Sequence, residues 1–592
     1  MSFISPHATI VEALIAQATR RPHRAAFTVI DSERQVTVTY EELLTRSMAV
    51  AGLLRDRGMA QGDRVLLCLP TSVDFLFSCY GTLLAGGVCV PIYPPTSSGL
   101  SRWRKQTQIV TRVAQPCGAI TAGDARIHMA AVLEQHGEGA FTLTPDDFKI
   151  RGSHELNPVC ADDIAFIQFT SGTTSQPRGV TITHRALMNN VRALVEGMEL
   201  SEDDTSVSWL PPYHDMGLVG HIFTPVEGAV HQHLMSPAHF VKKPIRWLSL
   251  ISETHATQTT APNSAYSMCA RRISAMDRRR LDLGSLRWAL NGAEVVSPRT
   301  LEQFSQAFSP VGFQKDAFLP VYGLAEATLA ATLGPRGGPK LDSVDRLDLA
   351  HLGSARPVAL DNRTACSFVA VGKAIPGLEL RVADSAGVST GERRIGEIQL
   401  RGASIMRGYF NNPQATAEVL AEDGWLRTGD LGYLAQGELY VTGRVKELII
   451  KGGRNYLPQD FEAASLDVSG LRAGRAVAFG AENEQTGTED IVLVAETRQR
   501  GMSDDQLLKH RLGAIAEQLT GICPDRVELV DPGSIPKTTS GKLKRTAVKA
   551  AYAKNEPLEN DRPHPLADAL SARLRSIADI TLTRFGRLLG WQ

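Results

Sequence analysis

Residues 164–183 read Ile-Ala-Phe-Ile-Gln-Phe-Thr-Ser-Gly-Thr-Thr-Ser-Gln-Pro-Arg-Gly-Val-Thr-Ile-Thr. The apolar run Ile164–Phe169 has the length and continuous hydrophobicity of a buried strand. It runs into a loop of hydroxyls and small residues: Thr170, Ser171, Gly172, Thr173, Thr174 and Ser175. Small residues let backbone approach a ligand closely, and hydroxyls with free N–H groups can wrap phosphate oxygens. A Walker loop is excluded, because G-x-x-x-x-G-K-[ST] is absent. The loop also leads into a second strand-like run, Val180–Thr183, and not directly into a helix. Taken alone, such a hairpin reads equally well as a phosphate loop or as a plain turn.

Outward from this loop, residues 37–450 repeat one rhythm. Short apolar runs (Val65–Leu69, Val88–Ile92, Ile164–Phe169, Leu286–Leu290) alternate with amphipathic helical patterns. This predicts an α/β fold of mixed and parallel sheets, its strands largely parallel and buried, layered with helices. From Leu448 the segments shorten to ELIIKGG, AVAFGA, DIVLVAET, a helical pattern over Asp504–Leu519, and RVELV. They predict a separate small α+β domain. The expected organisation is a large domain over 1–445, a small one over 446–554, and a linker with a helical tail over 555–592. The linker is polar and Pro-containing, and Leu566, Leu570, Leu574 and Ile577 share one helical face.

A chain of 592 residues can bury a large core without disulfide or metal staples. With 43% hydrophobic and 21% charged residues, whole-chain disorder and low complexity are excluded. The 63 basic and 63 acidic residues cancel, so net charge gives no pull towards nucleic acid or membrane. Eight cysteines form no C-x-x-C pair, which argues against a zinc ribbon and fits reduced thiols in a cytoplasmic protein. No signal peptide is expected, since the N-terminus lacks a basic region and places Glu12 in its apolar stretch. The uncharged stretch from Phe75 to about Leu100 carries Gly86, Gly87, Pro91, Pro94 and Pro95. It predicts a core helix followed by a buried strand, and no membrane span.

The hydroxyl loop resembles the signature of the adenylate-forming superfamily, which holds acyl-CoA synthetases, luciferases and adenylation domains. Companion motifs follow in the superfamily's order: Leu84–Ile92, Asn291-Gly292-Ala293-Glu294, Tyr322-Gly323-Leu324-Ala325-Glu326, Thr428-Gly429-Asp430, Gly443–Glu447 and Pro536–Lys542. The resemblance implies that a carboxylate and ATP form an acyl-adenylate and pyrophosphate, a reaction of positioning and charge neutralisation. It implies ATP and Mg²⁺ as cofactors. Lys542 is implied as the catalytic cation, and Thr170, Ser171, Gly172, Thr173 and Thr174 as the phosphate loop. Glu326 is implied as the Mg²⁺ ligand, a hard carboxylate for a hard ion. Tyr322 and Gly323 are implied beside adenine, with Asn291, Gly292, Ala293 and Glu294 lining its pocket. Asp430 would accept from the ribose hydroxyls with Arg444 donating nearby, and Lys446 would lie in a hinge that absorbs rotation of the small domain. Arg178 departs from the lysine common at its position.

Within the superfamily the fatty acyl-AMP ligase branch is the most similar. The residues that carry this are Ser208–Leu218, Pro91-Ile92-Tyr93-Pro94-Pro95, Tyr322–Leu329 and Gly453–Glu462. The stretch 341–371 resembles that branch's insertion, a tolerated surface loop being the alternative. The branch passes its acyl-adenylate to the phosphopantetheine thiol of an acyl carrier protein. His214 is implied as a catalytic or gating residue, and the acyl chain is expected to pass His214, Asp215, Met216, Gly217 and Leu218 towards Gly220–Gly228. Residues 534–592 carry 11 basic and 5 acidic residues. That basic end either steers an acidic carrier protein or packs as a solvated helix. Fatty acid and carrier protein are thus the implied partners, with no nucleic acid, and a monomer is expected. The alternatives are an acyl-CoA synthetase and an inactive adenylate-binding scaffold.

Overall fold

The computed structural model describes residues 7–30, 34–95, 99–136, 139–148, 158–170, 177–452, 454–483, 486, 488–498, 502–537, 543–556 and 558. The chain divides into two compact units, one built on Leu100–Leu448 with the chain before it and Arg454–Leu457, the other on the chain from Pro458.

The first unit is a layered α/β structure with two large sheets. In one, five parallel strands run in the order Ile164–Thr170, Val88–Pro91, Arg64–Cys68, Gly118–Thr121, Phe141–Leu143. Arg178–Thr183 closes back antiparallel on Ile164–Thr170, with Thr170 opposite Arg178. The hydroxyl loop therefore joins two paired strands, as its flanking runs predict. The uncharged stretch after Phe75 is helix Val73–Leu84 followed by strand Val88–Pro91. Phe75, Leu76, Tyr80, Leu83 and Leu84 of that helix are buried in the core. Among the described residues no helix is long and apolar enough to cross a membrane.

The second large sheet changes character along its width. Phe318–Gly323, Trp288–Gly292, Gln258–Pro262, Thr205–Ser208, His231–Met235 and Ala25–Ile30 pair in parallel. Beyond Phe318–Gly323 the pairing turns antiparallel, through Ala330–Leu333, Ala365–Ala374, Glu438–Arg444, Leu426–Ala435, Gly396–Gly402 and Leu378–Ala383. The sheets are thus mixed, as the α/β class with mixed and parallel sheets expects, and the antiparallel pairing is concentrated in the last third of residues 37–450. The physical reason is turn chemistry. Gln436 and Gly437 both have positive φ, at 55° and 73°, and join Ala435 to Glu438 as a two-residue hairpin. A connection that short leaves no room for a crossover helix.

Residues 341–371 fold as strand Leu341–Asp345, helix Arg346–Leu352 and the start of strand Ala365–Ala374, to which the first strand is paired. Asp345 caps the helix by accepting from Leu347 N and Asp348 N at 2.9 and 3.0 Å. Val344, Leu349 and Ala355 bury against Tyr433 and Tyr440.

The second unit pairs Leu471–Asn483, Thr488–Thr497 and Arg526–Val530, with helix Met502–Thr520 between the last two. Its core includes Val477, Phe479, Val492, Val494 and Val548. Nearly all of the expected linker and helical tail over 555–592 lies outside the described residues, as do Ser171–Gln176 and Lys542.

Candidate active site

Ligands of open parallel sheets sit beyond the carboxyl ends of the strands. Here strand Trp288–Gly292 ends on Asn291 and Gly292, and its neighbour Phe318–Gly323 ends on Tyr322 and Gly323. Both glycines are required by close approach. A Cβ on Gly292 would lie 2.7 Å from the Val321 side chain, and one on Gly323 only 1.9 Å from the Leu329 carbonyl oxygen. Asn291 is fully buried, and among the described residues neither its side-chain amide oxygen nor its nitrogen has a hydrogen-bond partner. Ala293 follows with φ at 67°, turning the chain so that Glu294 accepts from Ser264 N at 3.1 Å.

After Gly323 the chain makes a tight loop. Leu324 N donates to Leu329 O at 3.0 Å, and Thr328 N to Ala325 O at 2.9 Å. Thr328 takes a left-handed φ of 70°, stabilised by its hydroxyl donating to Ser404 O at 2.7 Å. Asn190, buried on helix His184–Gly197, grips the loop from below. Its amide donates to Ala327 O and Ala330 O and accepts from Ala330 N. Glu326 sits at the apex, with its own carbonyl accepting from Met406 N at 2.8 Å. Its Oε1 accepts from the Tyr409 hydroxyl at 2.8 Å. Burial raises the Glu326 carboxyl above its usual range, and the charges of Asp215 and Asp430 add to the rise, while the Tyr409 bond opposes it.

Opposite this loop lie the paired strands Leu426–Ala435 and Glu438–Arg444. Their register sets Asp430 across from Arg444. The Asp430 carboxylate accepts from the Tyr322 hydroxyl at 2.8 Å and forms an ion pair with Arg444, Nε lying 2.9 Å from Oδ1. Asp430 holds the Arg444 guanidinium above its usual range, and burial pushes the Tyr322 phenol far up, so that it stays a neutral donor. Each carboxylate oxygen carries two lone pairs, so Asp430 keeps acceptor capacity for further hydroxyls.

On the third side His214 caps the short helix Asp215–Leu218. Its Nδ1 lies 2.6 Å from Asp215 Oδ1, which also accepts from Met216 N at 2.7 Å. His214 Nδ1 also accepts from Met216 N at 3.4 Å, the bond by which it caps the helix. Gln168, on the strand that enters the hydroxyl loop, donates to Tyr213 O at 2.8 Å and so ties the two segments together. Gly217 has no room for a side chain, since a Cβ would meet Pro211 O at 2.1 Å. A narrow, largely apolar crevice beside it is lined by Phe75, Leu76, Leu210, Pro212, Gly217 and Ile222, among others. Met216 and Leu218 point into the core.

The structure thus brings Tyr322, Asp430 and Arg444 into one contact chain, and sets Glu326 where the charges of Asp215 and Asp430 act on it. Thr170 ends its strand opposite Arg178, and Lys446 lies in the single turn Val445–Glu447. Sequence reasoning missed Tyr409, Asn190 and Gln168. Their partners lie 83, 137 and 45 positions away, so no local pattern signals them.

The chain belongs to the AMP-binding enzyme family, whose model matches residues 14–410. It is 33% identical over 520 residues to a putative acyl-CoA synthetase of Caulobacter vibrioides, covering 87% of this chain and 90% of that protein. It is 31% identical over 566 residues to the medium-chain-fatty-acid–[acyl-carrier-protein] ligase JamA of Moorena producens, covering 92% and 95%. Among solved structures it is similar to one from a study of fatty acyl-adenylate ligases of E. coli and L. pneumophila. There the TM-score is 0.86 and the identity 36%, covering 93% of this chain and 98% of the other.

Proposed function

We propose that this protein activates a fatty acid with ATP to an acyl-adenylate, and then passes the acyl group to the phosphopantetheine thiol of an acyl carrier protein. In the first step a carboxylate oxygen of the fatty acid bonds to the α-phosphorus. The bond from that phosphorus to the bridging oxygen breaks, and pyrophosphate leaves with the electron pair. In the second the thiol sulfur bonds to the acyl carbon, its proton is lost, and AMP leaves.

The observation that carries the reading is the Tyr322–Asp430–Arg444 chain at the end of the parallel strands. Asp430 offers acceptors to ribose hydroxyls, Tyr322 ends the strand paired with the one that ends on Asn291 and Gly292, and the amide of buried Asn291, without a partner among the described residues, supplies polar atoms to the same strand end. Thr170 to Thr174 are assigned to the phosphates, and Lys542 to the charge that develops as the carboxylate meets the α-phosphate. Glu326 is assigned to Mg²⁺, a hard carboxylate for a hard ion, with Oε1 held by the Tyr409 hydroxyl at 2.8 Å. When bound, the ion would neutralise phosphate charge. His214 is assigned to the fatty-acid carboxylate in this reading, with Gly217 flanking the apolar crevice. Lys446 marks the hinge.

Incubation with ATP, a fatty-acid pool and either CoA or holo-carrier protein tests both steps. Acyl-adenylate with acyl-carrier product is the expected outcome, while rapid acyl-CoA formation overturns the choice of acceptor. Absence of fatty-acid-dependent pyrophosphate release overturns the whole reading. Lys542→Ala is expected to lose that release while retaining the wild-type unfolding midpoint.

A further inference from the structure

We propose that Tyr409 is the positioning residue for Glu326, and that Arg178 braces it by stacking. The inference rests on the reading of Glu326 as the metal ligand. Tyr409 belongs to the two-residue strand Gly408–Tyr409, which pairs with Thr181 and Val180 just past the hydroxyl loop. Three restraints meet on this one residue. Its N–H donates to the Thr416 hydroxyl at 2.9 Å. Its ring carries the Arg178 guanidinium 5.1 Å from the centroid. Its hydroxyl donates to Glu326 Oε1 at 2.8 Å.

Glu326 needs such a holder. Asp215 and Asp430 repel its charge, and without a fixed donor the side chain has rotamers that carry it away from them. The Tyr409 hydroxyl occupies Oε1 alone, and among the described residues Oε2 has no hydrogen-bond partner, so one oxygen stays open to a ligand. Partners of this kind, one bond behind a ligating carboxylate, fix its direction.

The brace explains the arginine at position 178. Its flat guanidinium lies over the tyrosine ring and also reaches Glu418 Oε2 at 3.4 Å. A lysine ammonium is a point charge, and it cannot lie flat on the ring while keeping both contacts. Because Arg178 follows the hydroxyl loop directly, the same side chain links the base of that loop to the metal carboxylate.

Tyr409→Phe keeps the ring, the stack and the strand pairing, and removes only the hydroxyl. Mn²⁺ binding to the enzyme–ATP complex, followed by electron paramagnetic resonance, reads the metal directly. Tyr409→Phe is expected to weaken it about tenfold, with a parallel rise in the Mg²⁺ needed for half-maximal pyrophosphate release. The fatty-acid KM is expected to stay unchanged. In a Glu326→Gln background the tyrosine substitution should add nothing, since the two residues act as a unit. Wild-type Mn²⁺ binding by Tyr409→Phe, with Glu326→Gln impaired, overturns the positioning role and leaves the metal reading standing. Wild-type binding by Glu326→Gln overturns the metal reading, and this proposal with it. Arg178→Ala should shift Mn²⁺ binding in the same direction, and full rescue by Arg178→Lys overturns the brace.

Discussion

Gly323→Ala is the substitution that most directly tests how the site is seated. The added Cβ would lie 1.9 Å from the Leu329 carbonyl oxygen, where real Cβ contacts stay beyond 3.0 Å. Backbone must therefore move by more than an ångström. That carbonyl cannot yield freely, because it accepts from Leu324 N at 3.0 Å and the next residue, Ala330, is bonded to buried Asn190. Overpacking of this kind costs about 1–3 kcal/mol. Loss of the Leu324–Leu329 bond adds about 1 kcal/mol. The expected destabilisation is thus about 2–4 kcal/mol, read as a lower urea midpoint for the full chain. Glu326 rides on the displaced loop, so fatty-acid-dependent pyrophosphate release should fall as well. Gly429→Ala is the control. Gly429 also lies within a site motif and has φ at 72°, but nothing stands within 4 Å of its Cβ position, so only the left-handed backbone term of about 1–2 kcal/mol applies. If Gly323→Ala unfolds no earlier than Gly429→Ala and forms adenylate at the wild-type rate, the loop is not held as described.

Asp430→Asn should raise the KM for ATP about 10–100-fold with the fatty-acid KM unchanged, measured by pyrophosphate release, since hydrogen bonds to a charged group are worth about 1.5–3 kcal/mol. Gly217→Ala should lower both the unfolding midpoint and adenylate formation, because a Cβ 2.1 Å from Pro211 O displaces the turn that carries His214. His184 and His221 are held neutral by burial, which lowers each from about 6.5 to about 4. The unfolded chain takes up these protons first, so stability is full above pH 6.5 and falls between pH 6.5 and 4. The slope is about 1.4 kcal/mol per pH unit for each histidine. His221→Gln should flatten that slope in urea titrations across the window.

Much of the candidate site could be proposed from the sequence because its residues sit at strand ends, where short motifs survive as contiguous letters. Asn291-Gly292 and Tyr322-Gly323 are two such ends, and the α/β class followed from the apolar runs that lead into them. The place of the antiparallel section was not legible, because its strands alternate within the same apolar rhythm and only a dipeptide such as Gln436-Gly437 betrays a hairpin. Tyr409 was invisible for a different reason. An aromatic residue beside Gly408 reads as core, and its meaning arises only when Glu326, far off in sequence, is folded against its hydroxyl. The direction of Leu218 also eluded the sequence, since a motif fixes neighbours but not the way a helical side chain faces.

The parallel edge of the second sheet sets a timetable for synthesis. Phe27 faces Val38, 11 positions on, across a hairpin, and Gln232, 205 positions on, across a parallel ladder. At about 5–20 residues per second the hairpin can close almost at once, whereas the second partner emerges roughly 10–40 s later. Through that interval Phe27 and Val29 present an open β edge on a tethered nascent chain. Ribosome-bound chains halted before Gln232 should therefore recruit chaperones or associate with one another, and chains released past Met235 should not.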